Sequence, residues 1–252
     1  MDQTILLTGR RGVGKTTVCQ AVAELARRRG YRPGGMITPA LYADPEPSRR
    51  ARPEPFDFTQ DRHSRRACSA GRGLGMGNGE WTKVGFEAVD VGSGERWPLA
   101  HTDQKTGGPR VGPYNFDPAA LARALKVLER AISAGCDLFM IDEIGPLELE
   151  QGEGFAPILD LIYWRSSRTC SAPAERETSF STPEENSEDS LSGERPMHTL
   201  IVVRPALLDL LLLRLRDAVR RPCRTEFTVF SVTEENRDEL PLQIVEILWG
   251  DG

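Results

Sequence analysis

Lysine is scarce in this chain. Arginine is common, but lysine occurs only as Lys15, Lys83, Lys105 and Lys126. Cysteine is sparse too: Cys19, Cys68, Cys136, Cys170 and Cys223 lie far apart, are odd in number and form no CxxC pair. That argues against a disulfide framework and, with no signal-peptide pattern at the start, predicts a reducing, cytoplasmic setting. The histidines, His63, His101 and His198, are equally scattered, so no metal-ligand cluster of the zinc type is visible. Long apolar runs are missing. The longest, ALLDLLLLRL at 206–215, is broken by Asp209 and Arg214 and is too short to span a bilayer, which excludes a membrane role for it. An excess of positive charge is missing as well. The formal net charge is −5, which argues against a general nucleic-acid binder. The sequence sets no oligomeric state.

With 252 residues, 39% of them hydrophobic, the chain has enough apolar matter for one sizeable core. TILLT (4–8) reads as a short buried strand, and Lys15 to Arg29 as a helix stopped by Gly30. GGMITPALY (34–42) is predicted as a second strand, and 83–101 as a hairpin turning at Gly92-Ser93-Gly94. Asp117 caps a helix with Pro118 at its first position, and Gly135 closes it. CDLFMID (136–142) is near-continuously apolar and ends in acid, as a strand buried on both faces does. Helices are expected over 155–164 and after Pro205, and strands over 199–203 and 227–232. Thr233 is expected to cap a final helix through about Leu248. Strands alternating with helices predict an α/β fold of the P-loop type: a mostly parallel sheet, helices on both faces, and an inserted β-hairpin. Residues 43–80, rich in Pro, Arg and Gly, and 166–198, rich in Ser, Glu, Thr and Pro, show no periodicity. They are expected to be disordered insertions in a single domain spanning 1–252.

GRRGVGKTT (9–17) carries the chemistry. Gly9, Gly14, Lys15 and Thr16 match G-x-x-x-x-G-K-[ST]. Glycines let the backbone curl until several N–H groups point at phosphate oxygens, and the helix opening at Lys15 adds its positive end. The whole loop, Gly9, Arg10, Arg11, Gly12, Val13, Gly14, Lys15, Thr16 and Thr17, is the candidate nucleotide site. Lys15 is expected to reach the β- and γ-phosphates and Thr16 to hold Mg²⁺. The side chains of Arg10 and Arg11 are expected to point to solvent. Asp142, ending a buried strand, is the expected second Mg²⁺ ligand, and Glu143 is the candidate acid that polarises an attacking water. Arg204, at the end of LIVVR, is placed either to stabilise transition-state charge or to make a salt bridge. Asn236 and Arg237 follow the last strand, where they either contact the nucleotide or merely polarise the start of a helix.

GRRGVGKTT, IDEIGPLEL (141–149) and TEENRDEL (233–240), in this order and spacing, resemble the small P-loop nucleoside-triphosphatases of the THEP type. VGFEAVD (84–90) and VGPYNFD (111–117) are similar to stretches of the same family. The resemblance implies slow, Mg²⁺-dependent hydrolysis of several nucleoside triphosphates, ATP and GTP among them. The residues alone leave three functions open: a triphosphatase, a small-molecule or nucleoside kinase on the same loop, or a nucleotide-dependent binding switch. The acid pair at 142–143 leans toward water as the acceptor.

Overall fold

The computed structural model describes residues 2–43, 82–169, 196–217 and 227–250. Five strands form the parallel half of one sheet: β1 (Thr4–Thr8), β2 (Pro33–Ile37), β8 (Leu138–Ile144), β9 (His198–Val203) and β10 (Phe227–Ser231). The antiparallel half is β3 (Ala40–Ala43), β4 (Thr82–Asp90), β5 (Arg96–His101), β6 (Arg110–Val111) and β7 (Tyr114–Phe116). The order is β10-β1-β9-β8-β2-β4-β5-β7-β6, with β3 on β4. Register in the parallel half runs through Thr4↔Thr199, Leu138↔His198 and Pro33↔Leu138.

The apolar runs are buried on both faces, and their period-2 alternation splits them between two cores. Ile5, Leu7, Met140 and Val202 face α1 (Lys15–Arg28) and α6 (Leu240–Trp249). Leu6, Phe139, Ile141 and Ile201 face α2 (Pro118–Ser133), α4 (Ala156–Thr169) and α5 (Leu208–Asp217). The expected N-cap of α2 is present: the Asp117 carboxylate accepts from the Ala119 and Ala120 N–H groups at 2.7 and 3.1 Å. Among the described residues no helix is long and apolar enough to cross a membrane.

Three expectations need correction, and one element was unforeseen. The sheet is mixed rather than mostly parallel, because β2 offers its free edge to β4, with Met36 opposite Asp90 and Ile37 opposite Val89. The inserted hairpin extends the main sheet. The second strand is two strands, parted at Thr38 and Pro39, after which β3 pairs with β4. Thr233 caps a turn and not α6, which starts only at Leu240. Finally, a short helix, α3 (Pro146–Leu149), follows β8. The greater part of both expected insertions, 44–80 and 170–195, lies outside the described residues. Their edges fall in β3 at Ala43, in α4 up to Thr169 and in β9 from His198.

Gly35 shows how tightly β2 and β8 meet. Its φ is +101°, and a Cβ there would sit 2.0 Å from the Met140 carbonyl oxygen. Only glycine allows that approach.

Candidate active site

The carboxyl ends of all five parallel strands converge on one edge of the sheet, where ligands of such folds bind. β1 delivers the glycine loop, β2 Thr38, β8 Asp142 and Glu143, β9 Arg204, and β10 the turn at Thr233. The loop is pinned from below. Gly9 has φ +143°, and a Cβ there would lie 2.6 Å from the Val232 carbonyl oxygen. Val232 N–H in turn donates to the Thr8 carbonyl at 2.8 Å.

No side chain caps α1; Gly14 stands at its N-cap in the left-handed region. The first-turn N–H groups are thus left to a ligand, which an anion satisfies best. The Lys15 ammonium folds back over the loop and donates to the Gly9 and Arg10 carbonyls at 2.8 and 3.0 Å. Burial lowers its pKa, while the Asp142 and Glu143 charges pull the other way. Thr16 donates its hydroxyl to Asp142 Oδ2 at 2.7 Å, and Thr38 N–H donates to the same oxygen at 3.2 Å. Asp142 is 2% exposed. Burial, and then the charge of Glu143, raises its pKa to about 6 despite both hydrogen bonds and Lys15. A buried carboxylate beside a threonine hydroxyl, in an all-oxygen setting, suits a small hard cation. Thr16 and Asp142 therefore fit Mg²⁺.

Glu143 is the one described non-glycine residue with positive φ, at 69°. Such a conformation costs on the order of 1–3 kcal/mol and persists only where the surroundings impose it. Its carboxylate accepts from Arg204 Nη2 at 2.8 Å. Of the two roles considered for Arg204, the structure shows the salt bridge. The turn after Glu143 is fixed by Glu148, 3% exposed, whose carboxylate accepts from Gly145 N–H at 2.9 Å and Phe155 N–H at 3.3 Å. Burial raises the Glu148 pKa to about 7.

A cleft of about 610 Å³ gathers Gly9, Arg11, Gly12, Gly14, Lys15, Thr16, Thr17, Asp142, Glu143 and Arg204. Four sequence candidates lie off its wall. Val13 is buried in the core beneath α1 and α6, so only its backbone serves the loop. Arg10 contributes the carbonyl already named. Asn236 spends its amide on its own turn, accepting from Thr233 N–H at 2.8 Å and donating to the Ser231 carbonyl at 2.9 Å. Arg237 lies against Gly14, where a Cβ would meet its Cδ at 3.4 Å. Arg11 departs from expectation. Though exposed, it donates from Nη2 to Tyr114 Oη at 2.9 Å, tying the loop's tip to β7.

Sequence reasoning missed Thr38, Lys83, Phe86 and Tyr114, which line the same cleft. For Lys83 a signal existed, since it is one of only four lysines. Thr38 had the weaker signal of a hydroxyl at the end of a buried strand.

Known proteins share this architecture. A solution structure of a human cancer-related nucleoside triphosphatase superposes with a TM-score of 0.53 at 21% identity, over 99% of each chain. Nucleoside-triphosphatase THEP1 of Methanopyrus kandleri is 29% identical over 246 residues, 98% of this chain and 95% of that protein. Its namesake from Pyrococcus abyssi is 31% identical over 157 residues, 62% of this chain and 65% of that protein. The model of the NTPase family matches residues 4–52 and 76–162. The matched residues are more than half of the chain and take in the glycine loop, the antiparallel half of the sheet and the acid pair, while β9 with Arg204, α5, β10 and α6 lie outside them, and the chain belongs to the NTPase family.

Proposed function

We propose that this protein is a Mg²⁺-dependent nucleoside triphosphatase that releases phosphate from NTP slowly and with broad base tolerance. One observation carries the reading: Glu143 stands beside Asp142 at the same strand end, and both line one cleft with Lys15. Bound at Thr16 and Asp142, Mg²⁺ would neutralise charge on the terminal phosphates. Lys15 exchanges its two carbonyl partners for β- and γ-phosphate oxygens. The free N–H groups at the start of α1 bind the same phosphates. Arg204 turns from Glu143 to the γ-phosphoryl group, which leaves the Glu143 carboxylate to orient the attacking water and take its proton.

The Arg204–Glu143 pair parts before Glu143 acts, at a cost of at most about 1 kcal/mol for so exposed a pair. Broad base tolerance is supported by the satisfied amide of Asn236, since strong base discrimination needs polar groups left to pair with the base. Arg237, beside Gly14, is the remaining nucleotide contact on that side.

Phosphate release is measured with ATP, GTP, CTP and UTP, with and without Mg²⁺. Release from several of them, dependent on Mg²⁺ and on no acceptor, is expected. Turnover that appears only with an added small-molecule or nucleoside acceptor would make the protein a kinase. Tight binding with no turnover would make it a nucleotide-dependent switch.

A further inference from the structure

β4 runs antiparallel to β2, yet the two pair only at Met36–Asp90 and Ile37–Val89. The first half of β4 therefore overhangs the carboxyl edge of the parallel strands, above the phosphate loop. A bulge re-aims its side chains there. Leu41 pairs with Gly85 but Tyr42 with Lys83, which makes Val84 the extra residue. In a regular strand Lys83 and Phe86 would face opposite ways; across the bulge they share a face. The Lys83 ammonium lies 3.7 Å from the Phe86 ring centroid and 5.5 Å from that of Tyr114. Tyr114 packs edge-on against Phe86 at 4.7 Å and is held by Arg11 from the loop's tip.

Lys83 is half-buried, lines the cleft with Lys15, Glu143 and Arg204, and has no carboxylate within ion-pair distance among the described residues. Burial lowers its pKa, and the charge of Glu143 opposes that shift, as it does for Lys15. A partly desolvated ammonium that rests on two aromatic rings, with no ion-paired carboxylate among the described residues, is poised for an anion.

We propose that Lys83 is a second lysine for the triphosphate: its ammonium contacts a non-bridging oxygen of the γ-phosphoryl group, opposite Lys15. Phe86 and Tyr114 position it, and Arg11 couples that placement to the loop. The proposal rests on the triphosphatase reading above. It assigns to the antiparallel half of the sheet the recognition of a third phosphate, so diphosphate binding does not depend on it.

The test compares the wild-type protein with Lys83→Met and Lys83→Arg, by phosphate release from Mg-ATP and by calorimetry of Mg-ADP and a non-hydrolysable Mg-ATP analogue. Lys83→Met is expected to lower kcat/KM by roughly 10²-fold. It should weaken the triphosphate analogue by about 10-fold or more, leave Mg-ADP within about 2-fold, and Lys83→Arg should restore most of the loss. Unchanged turnover in Lys83→Met, or equal weakening of both nucleotides, would overturn the proposal. A wild-type protein that binds no nucleoside triphosphate would instead overturn the triphosphatase reading. Should Lys83→Met fail to fold, side-chain NMR of the wild type decides, because four lysines are few enough to assign. Both Lys15 and Lys83 signals should move with the triphosphate analogue, and only Lys15 with Mg-ADP. A Lys83 signal that responds alike to both, or to neither, would overturn the proposal.

Discussion

Arg204 Nη2 donates to Glu143 Oε1 at 2.8 Å, and the glutamate it holds sits at φ 69°. A strained backbone and a paired carboxylate occupy the position next to the buried Asp142. The two acids thus differ in surroundings: Asp142 is enclosed by Thr16 and Thr38, whereas Glu143 faces the open cleft beside the Arg204 guanidinium.

That difference separates their roles by substitution. Glu143→Gln keeps the shape and one acceptor oxygen but removes the charge and basicity. Mg-ATP should still bind while kcat falls by roughly 10²-fold or more. Asp142→Asn should instead weaken Mg²⁺-dependent binding itself. Calorimetry and single-turnover phosphate release check both; wild-type turnover in Glu143→Gln rules out water activation by that residue.

Lys15→Ala removes the cation now resting on the Gly9 and Arg10 carbonyls. Affinity for Mg-ATP should drop by at least about 10-fold, which is about 1.4 kcal/mol. Titration calorimetry reads this directly, and unchanged affinity would remove the loop from the binding site.

Gly35→Ala places a methyl 2.0 Å from the Met140 carbonyl oxygen at a φ of +101°. The strand pair must separate locally, at a cost of at least about 2 kcal/mol. For a chain of this size the thermal midpoint should fall by roughly 5 °C or more. A midpoint within a degree of wild type would contradict the close β2–β8 approach.

Glu148 makes stability depend on pH. Burial raises its pKa from the ordinary 4.5 to about 7, so the folded state keeps the proton that the unfolded chain has released. Its contribution is fully present below pH 4.5 and is lost as pH rises toward about 7, by up to about 1.4 kcal/mol per pH unit. Thermal unfolding of the nucleotide-free protein between pH 4.5 and 8 should show this loss. Glu148→Gln, which stays neutral throughout, should reduce the slope and leave the part that Asp142, raised to about 6, contributes; identical slopes in both proteins would refute it.

What the sequence determined by itself is local. The loop at 9–17 shows glycines and one lysine in a fixed order, the pattern that offers consecutive backbone N–H groups to a phosphate. The Asp117 cap, the buried run ending at Asp142 and the helix from Lys15 are equally short-range, set by spacing within one element. Even the acid pair was legible, since adjacency in the chain makes it adjacent at a strand end.

Tertiary structure alone decided the rest. That β4 pairs with β2, making the sheet mixed, depends on which edge is free once the parallel strands have assembled. That Lys83 shares a face with Phe86 depends on a one-residue bulge set against β3, which no periodicity in β4 announces. That Glu143 holds Arg204, and Arg11 holds Tyr114, depends on contacts between residues 61 and 103 positions apart. Pairing energy of this kind comes from long-range closure and burial, and a single chain of residue types does not record which partners meet.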